Sequence, residues 1–134
     1  MFVEWAATLA AVPPARVIAR RPLFYAAGAD PAEDRPAHVR AGSGVAWLGD
    51  RLLVVQDDAA FVAALRGWDA PVEAIALPRL EDGRRQHDDR LGTKHLKLDL
   101  ESCVAVPSGG REVVLAFGSG SAPARERVLL LDDA

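Results

Sequence analysis

Two short acidic segments contain the residues of this sequence that are best suited to chemistry. Lys97, Asp99 and Glu101 alternate with leucines, and alternate side chains of an extended segment share one face. Asp57 and Asp58 follow a similar apolar run earlier in the chain. If the fold brings the two runs together, four carboxylates surround one point, and clustered oxygens suit Ca²⁺, which takes about six to eight of them. The predicted metal ligands are Asp57, Asp58, Asp99 and Glu101.

The same spacing has a simpler interpretation. Lys97 can neutralise its acidic neighbours on a solvated strand face, where such ion pairs contribute little energy. The segment also lacks the strict ligand spacing of an EF-hand loop. Both interpretations stay open at the level of sequence.

A glycine–serine segment near the C-terminal end predicts an anion site. Successive backbone N–H groups at 118–121 can form a nest, and the Arg125 guanidinium can hold a phosphate or carboxylate with a bidentate fork. The alternative is a plain hairpin turn between two strands. A nucleotide P-loop is excluded because no Gly-Lys-Ser/Thr ending is present. The predicted anion-binding residues are Lys94, Lys97, Gly118, Ser119, Gly120, Ser121 and Arg125.

The elements that must position these residues are extended segments, and their pattern occurs twice. Residues 43–47 lead into 51–55, and residues 102–106 lead into 111–115, with Val45 and Val104 separated by 104 − 45 = 59 positions. Repetition of short apolar runs between glycine turns is typical of stacked sheet modules. The predicted strands are 44–48, 52–56, 61–65 and 72–77 in the first module and 98–106, 113–117 and 128–131 in the second.

Three further predictions concern less regular segments. A helix over 59–65 competes with the third strand, and strand is favoured because so short a helix is marginal. Residues 16–20 and 23–25 are predicted as short extended pieces, and 2–12 as a helical turn stopped by two prolines. Trp47 is predicted to lie in the core between modules, and Cys103 to be a small buried side chain.

The predicted fold class is all-β: an incomplete β-propeller of about two four-stranded antiparallel blades. A four-stranded sheet cannot cover both of its faces alone, and propeller blades solve this by packing on their neighbours. The predicted divisions are an N-terminal extension with a short strand (1–37), a first blade (38–78), a charged connecting loop (79–97) and a second, incomplete blade (98–134). We expect the missing blades to come from a longer chain; self-association of copies and a two-sheet sandwich are the alternatives.

Composition excludes several classes of function. The chain has 134 residues, half of them hydrophobic, and a net charge of −3, which gives no positive field for nucleic acid. No apolar run is long enough to span a membrane, and the N-terminal segment lacks the basic start of a signal peptide, so we expect a cytoplasmic protein. The three histidines lack zinc-site spacing, and the serine-hydrolase motif is incomplete.

The strand segments resemble a known family. Ser43–Trp47, Arg51–Asp58, Lys97–Glu101 and Leu115–Ser121 with Arg125 are similar to the opening blades of bacterial phytase-like (esterase-like) β-propellers, in an uncharacterised branch. The resemblance covers about residues 41–131. It implies the propeller fold, and it implies activity only weakly, because fold does not fix function.

Two functions are therefore expected. The first is a propeller segment that binds a ligand, such as a small anion, or a protein. The second is a Ca²⁺-assisted hydrolase of phosphoesters or other esters, in which Asp57, Asp99 and Glu101 hold the metal and Arg125, with Lys94 or Lys97, neutralises the substrate. Carboxylates that converge within ligand distance favour the hydrolase, and dispersed ones favour the scaffold.

Overall fold

The computed structural model describes residues 15–132, which form two antiparallel sheets joined by a long charged segment. Sheet 1 has the strand order β1-β2-β3-β4 and sheet 2 the order β5-β6-β7. The strands are β1 (Gly42–Leu48), β2 (Arg51–Gln56), β3 (Phe61–Leu65), β4 (Glu73–Ala76), β5 (Leu100–Ser108), β6 (Arg111–Gly118) and β7 (Val128–Leu131). The helices of the described residues are two short 3₁₀ turns, Lys94–Leu96 and Pro123–Arg125. The all-β prediction is confirmed, and none of these helices is long and apolar enough to cross a bilayer.

Sheet 1 is a four-stranded meander, as the sequence predicts. Gly49 has a φ of +58° in the turn between β1 and β2, a conformation that glycine adopts at little cost. Residues 59–65 do not form the competing helix. All five residues of β3 are buried, and they alternate between the two faces of the sheet. Burial on both faces therefore decides for the strand over the intrinsic helix preference of alanine.

Sheet 2 differs from the prediction at its first strand. Asp99 has a φ of +55°, which an extended strand cannot accommodate, so β5 begins at Leu100 rather than at residue 98. The strand then continues to Ser108, two residues beyond the predicted end. The hairpin turn lies at Gly109 and Gly110, both with positive φ.

The main core lies between the two sheets. Leu53, Val55 and Val62 of sheet 1 pack in one cluster with Leu100 and Val114 of sheet 2. The partly buried Cys103 packs against the same cluster, and burial raises the pKa of its thiol. Removing this surface from water is the main favourable contribution to holding the sheets together.

The first strands of the two sheets lie against each other. A Cβ at Gly44 would stand 3.0 Å from the Ser102 Cα and the Cys103 nitrogen, so glycine allows β1 to approach the β5 backbone. The Ser43 hydroxyl donates to the Leu100 carbonyl across the same contact. The sheets are therefore closest at β1 and β5.

The repeat has a different register from the one that the sequence suggests. Leu48 pairs with Arg51 beside the first hairpin turn, and Ser108 pairs with Arg111 beside the second. The two hairpins thus correspond at a spacing of 108 − 48 = 60. The 59-residue spacing predicted for the first strands is wrong by one, and the spacing of 60 predicted for the second strands, 51–55 and 111–115, is confirmed. Because side chains alternate between faces, a shift of one residue matches each side chain of β1 with a residue on the opposite face of β5.

The predicted strand at 16–20 is wrong. These residues are exposed and pair with no strand among residues 15–132, so nothing fixes an extended ladder there. The next piece is partly paired: Phe24 bridges to His38 and Tyr25 bridges to Val72. The predicted helical turn at 2–12 lies outside the described residues.

The connecting segment 79–97 is anchored at several points. Ala59 forms an isolated bridge with Gln86. The Asp34 carboxylate accepts the backbone N–H groups of Arg85 and Gln86, each at 2.9 Å. The N-terminal extension thereby holds the middle of the segment that leads to sheet 2.

Candidate functional site

Lys97 lies at the centre of a group of carboxylates at the junction of the sheets. Its Nζ is 2.6 Å from Asp57 Oδ1, 2.7 Å from Asp99 Oδ1 and 3.5 Å from Asp58 Oδ1. The side chains of Lys97 and Asp99 are each only 7% exposed. The three carboxylates and the ammonium are hereafter called the junction cluster.

The backbone at the ends of two strands produces this convergence. Asp57 directly follows β2, and its N–H donates to the Ala41 carbonyl at 2.9 Å. Asp99 directly precedes β5, and its positive φ turns the chain before the strand begins. The prediction of one extended face through Lys97, Asp99 and Glu101 is therefore wrong in its geometry, although it names residues that do meet.

Electrostatics within the junction cluster are strongly coupled. Burial raises the pKa of Asp57 to about 6, the hydrogen bond with Asp99 adds to the rise, and Lys97 opposes it. Burial acts against the charge of Asp99 as well, but hydrogen bonds from Asp57, Lys97 and Ser119 hold the pKa of Asp99 well below its usual range. Burial likewise opposes the charge of Lys97, yet hydrogen bonds to Asp57 and Asp99 raise the pKa of its ammonium. Of Asp57 and Asp99, Asp57 is therefore the carboxylate that accepts a proton first.

A triad within this region can hold a metal ion. Asp57, Asp99 and Glu101 each offer a carboxylate oxygen, and these oxygens lie within 4.8 Å of one another. Glu101 is exposed, so the triad opens to solvent on one side. The Lys97 ammonium already supplies a positive charge at two of the three carboxylates.

The fourth predicted ligand, Asp58, is held by a cation that sequence reasoning missed. Arg40 Nη2 lies 3.5 Å from Asp58 Oδ2 and 2.7 Å from Asp88 Oδ2. Arg40 Nη1 also donates to Gln86 Oε1 at 3.1 Å. These residues are far apart in the chain, and no local pattern points to their contact.

The glycine–serine segment holds an anion, and that anion belongs to the chain itself. Ser119 Oγ donates to Asp99 Oδ2 at 2.6 Å, and its backbone N–H donates to the Asp99 carbonyl at 2.9 Å. Arg125 Nη1 lies 3.0 Å from the same Oδ2. Arg125, Lys97 and the Ser119 hydroxyl thus converge on the Asp99 carboxylate. The predicted backbone nest is wrong, because the N–H groups of Gly118 and Gly120 donate to the carbonyls of Arg127 and Arg125.

The remaining residues of that segment complete the arrangement. Arg125 Nη1 donates to Ser121 Oγ at 2.9 Å, and Arg125 Nη2 donates to the Lys94 carbonyl at 3.0 Å. A Cβ at Gly118 would overlap the Arg125 carbonyl, so only glycine fits there, and Gly120 has a φ of +67°. The Lys94 ammonium instead binds the exposed Asp89 at 2.9 Å. Arg125 Nε is buried without a hydrogen-bond partner among residues 15–132.

A histidine–aspartate pair lies in the connecting segment and has no signal in the sequence. His87 is 1% exposed, and its Nε2 is 3.1 Å from Asp82 Oδ1. Its backbone N–H donates to the Asp58 carbonyl at 3.0 Å. The pair holds in place the connecting segment, which carries Gln86 and Asp88, two of the partners of Arg40.

An apolar cavity of about 550 Å³ lies on the outer face of sheet 1, the face turned away from sheet 2. Trp47 is 53% exposed and lines this cavity with Trp68, so the prediction of Trp47 in the core between the sheets is wrong. Alternation explains the difference: Ala46 and Leu48 face the core, and Trp47 between them must face away. The Arg21 side chain at the cavity donates to the carbonyls of Trp68 and Ala70.

The outer face of sheet 2 is also apolar. Val104, Leu115 and Leu130 pair across the three strands and form one row. Val104, Leu130 and the neighbouring Val128 are exposed. Within residues 15–132, the outer face of sheet 2 and the β1 side of the outer face of sheet 1 thus present exposed apolar surface. On the rest of the outer face of sheet 1, Val54, Ala63 and Leu65 are buried in a second cluster with Tyr25 and Val72.

Comparison with protein families gives one match. A family model covers residues 38–134, well over half of the chain. The chain belongs to the Family of unknown function (DUF6929). The DUF6929 match spans both sheets and the segment between them, and residues 1–37 lie outside it. No curated protein and no solved structure matches the chain.

Proposed function

We propose that this member of DUF6929 is a binding scaffold made of two adjacent β-propeller blades, with its binding surfaces on the outer faces of the sheets. The exposed apolar surface on both sheets is the observation that carries the proposal. Patches of this kind mark interaction sites in proteins, because exposed apolar area is costly in water.

The propeller arrangement is supported by how the sheets repeat. With a spacing of 60, Ala46 in the core between the sheets corresponds to Val106, which lies outside that core. The core face of sheet 1 therefore corresponds to the outer face of sheet 2. Successive propeller blades are related in this way, whereas in a sandwich of two equivalent sheets the two inner faces would correspond. The close contact of β1 with β5 agrees with first strands that surround a common axis.

The junction cluster favours a scaffold as well. Ser119 and Arg125, which were predicted to bind an external anion, bind Asp99, and three of the four carboxylates that were predicted to bind a cation lie around Lys97. These groups connect the end of β2 to the start of β5 by charge-assisted hydrogen bonds. They stabilise the contact between blades and leave ligand binding to the apolar faces.

Binding of the fluorescent apolar probe anilinonaphthalene sulfonate to the dilute full chain tests the scaffold. We expect saturable binding that quenches tryptophan fluorescence, and weaker binding in a Trp68→Ser variant. A Leu91→Ser variant is the matched control, because Leu91 is exposed in the connecting segment and away from the cavity. Cooperative thermal unfolding of each variant separates cavity binding from binding to a loosened core. Probe binding that is equal in wild type and both variants would contradict the proposal.

A second function is favoured by the convergence of Asp57, Asp99 and Glu101. We propose as the alternative a Ca²⁺-assisted hydrolase of phosphoesters, in agreement with the resemblance to phytase-like propellers. The triad would hold the cation, and Arg125, whose Nε has no partner within residues 15–132, would neutralise the substrate oxyanion.

Hydrolysis of p-nitrophenyl phosphate with and without Ca²⁺ tests this alternative. It predicts turnover that needs Ca²⁺ and is lost in Glu101→Ala, because Glu101 is the exposed member of the triad and does not bind Lys97. A Glu112→Ala variant is the control for removal of an exposed carboxylate from sheet 2. Absence of Ca²⁺-dependent turnover in wild type would count against the hydrolase and in favour of the scaffold.

A further inference from the structure

The outer face of sheet 1 is covered in one part and open in another. Tyr25 and Val72 pack with residues of β2 and β3 in the second cluster. Leu23 packs against this cluster and also lines the cavity of about 550 Å³. Trp47 and Trp68 line the same cavity and are more than half exposed. The cavity is therefore a concave region that the packing of residues 15–132 leaves open.

The cavity has the size and the lining of a small-molecule site. Pockets for small ligands measure about 300–1,000 Å³ and combine apolar and aromatic walls with a few polar groups that orient the ligand. Among the described residues that line this cavity, Arg21 is the one charged side chain, and the others are apolar, aromatic or glycine. Trp47 and Trp68 offer large ring surfaces for packing. The cavity therefore suits a compact apolar body.

Arg21 is the residue that distinguishes between apolar ligands. Its Nη1 donates to the Trp68 carbonyl, and its Nη2 donates to the Ala70 carbonyl at 2.8 Å. A guanidinium has five N–H groups, so these two bonds leave three of them for another acceptor. No carboxylate of residues 15–132 forms an ion pair with Arg21. The guanidinium is thus held at the cavity by two carbonyls and has no counter-charge within the described residues.

We infer that this cavity binds a small apolar carboxylate, with the apolar body against Trp47 and Trp68 and the carboxylate at the Arg21 guanidinium. The inference rests on the proposed function, since it names the ligand of a surface assigned there. Charge complementarity favours this occupant over a further apolar sheet. Such a sheet would cover the Arg21 charge without a counter-ion, which is costly, whereas a carboxylate accepts charge-assisted hydrogen bonds from it.

Calorimetric titration of the full chain with naphthylacetate and with its uncharged analogue naphthylacetamide tests the inference. The two compounds share the apolar rings and differ in the charged group. We expect the carboxylate to bind about tenfold or more tightly than the amide, because a hydrogen bond between charged groups contributes more than a neutral one. Arg21→Met should abolish this preference. Arg111→Met, which removes an exposed arginine of sheet 2, is the matched control and should keep it.

The ratio of the two affinities separates charge recognition from a structural role of Arg21. A displaced Trp68 turn would weaken the binding of both compounds and leave their ratio unchanged. Arg21→Lys keeps the charge and should retain part of the preference. Trp68→Ser should weaken the binding of both compounds, which would locate them in the cavity. If Arg21→Met does not unfold cooperatively, Arg21→Gln replaces it, and the same loss of preference is required.

Three results would overturn the inference. Equal affinity of wild type for the two compounds, with both weakened in Trp68→Ser, would exclude the acidic ligand and leave the scaffold standing. A preference that survives Arg21→Met would place the carboxylate elsewhere. Tighter binding of naphthylacetate to Glu4→Gln would show that a carboxylate of the chain competes for Arg21. Failure of the proposed function differs from all three, because Trp68→Ser would then weaken the binding of neither compound.

Discussion

The junction cluster and the outer faces of the sheets differ in how far their groups are satisfied within the chain. Lys97 and Arg125 are charged and mostly buried, and both bind the buried Asp99 carboxylate. Trp47 and Leu130 are apolar and largely exposed. The residues with the strongest chemical signal in the sequence are therefore satisfied within the chain, whereas apolar residues of the outer faces are left exposed.

The largest effect should come from removing the cation of the junction cluster. Lys97→Met leaves Asp57 and Asp99 without their shared ammonium, and breaking a buried ion pair from one side costs about 3 kcal/mol or more. Urea unfolding should show this loss, and Lys94→Met, whose ammonium binds only the exposed Asp89, should change stability little. Equal losses of stability in the two variants would mean that the ion pairs of Lys97 contribute no more to stability than the surface ion pair of Lys94.

A second prediction compares an inner leucine with an outer one. Leu53 lies in the core between the sheets, and Leu53→Ala should destabilise the chain by about 2–5 kcal/mol because it leaves a cavity. Leu130→Ala on the exposed face should have a much smaller effect in dilute solution. Thermal unfolding of both variants checks the ranking, and the reverse order would place the main core on the wrong side of the sheets.

A third prediction concerns the segment that binds Asp99. Gly118→Ala places a Cβ against the Arg125 carbonyl, and overpacking of this kind costs about 1–3 kcal/mol. Gly67→Ala is the control, since a Cβ there meets no atom within 4 Å. If Gly118→Ala is as stable as wild type, the segment does not close on Asp99 as described.

The smallest effect is a pH dependence from Asp57. Its pKa is raised to about 6 in the folded chain, so the folded state binds this proton more tightly than the unfolded state. This contribution to stability is complete below the unfolded pKa of Asp57 and is lost as the pH rises through about 6. Melting temperatures of wild type should therefore fall, relative to Asp57→Asn, between about pH 4 and pH 7. Parallel curves for the two proteins would show that Asp57 is not buried beside Asp99.

The strands could be predicted from sequence because apolar runs between glycine turns determine them locally. The seven strands of the two sheets occur where the runs predict them, within two residues at each end. For Asp57 and Lys97, the sequence could predict only that the ends of their two strands meet, and not the contact between the two side chains. Its actual form depends on the positive φ of Asp99, which no sequence rule for aspartate requires.

The faces could not be predicted, because they depend on a single residue of register. The sequence aligns the first strands of the two modules at a spacing of 59 and the second strands at a spacing of 60, and these two spacings assign opposite faces to corresponding side chains. Trp47 illustrates the consequence: a large aromatic residue is expected in the core, and alternation places it outside. The contact of Arg40 with Asp58 and Asp88 depends on the folded path of the connecting segment.

Calorimetric titration of the wild-type chain with Ca²⁺ tests most directly whether the junction cluster is satisfied by its own charges. We expect no binding to wild type, because the Lys97 ammonium already neutralises Asp57 and Asp99. We expect binding to appear in Lys97→Met, where the carboxylates are left without that charge. Stoichiometric binding to wild type that is lost in Glu101→Ala would contradict the account and select the metal-dependent hydrolase.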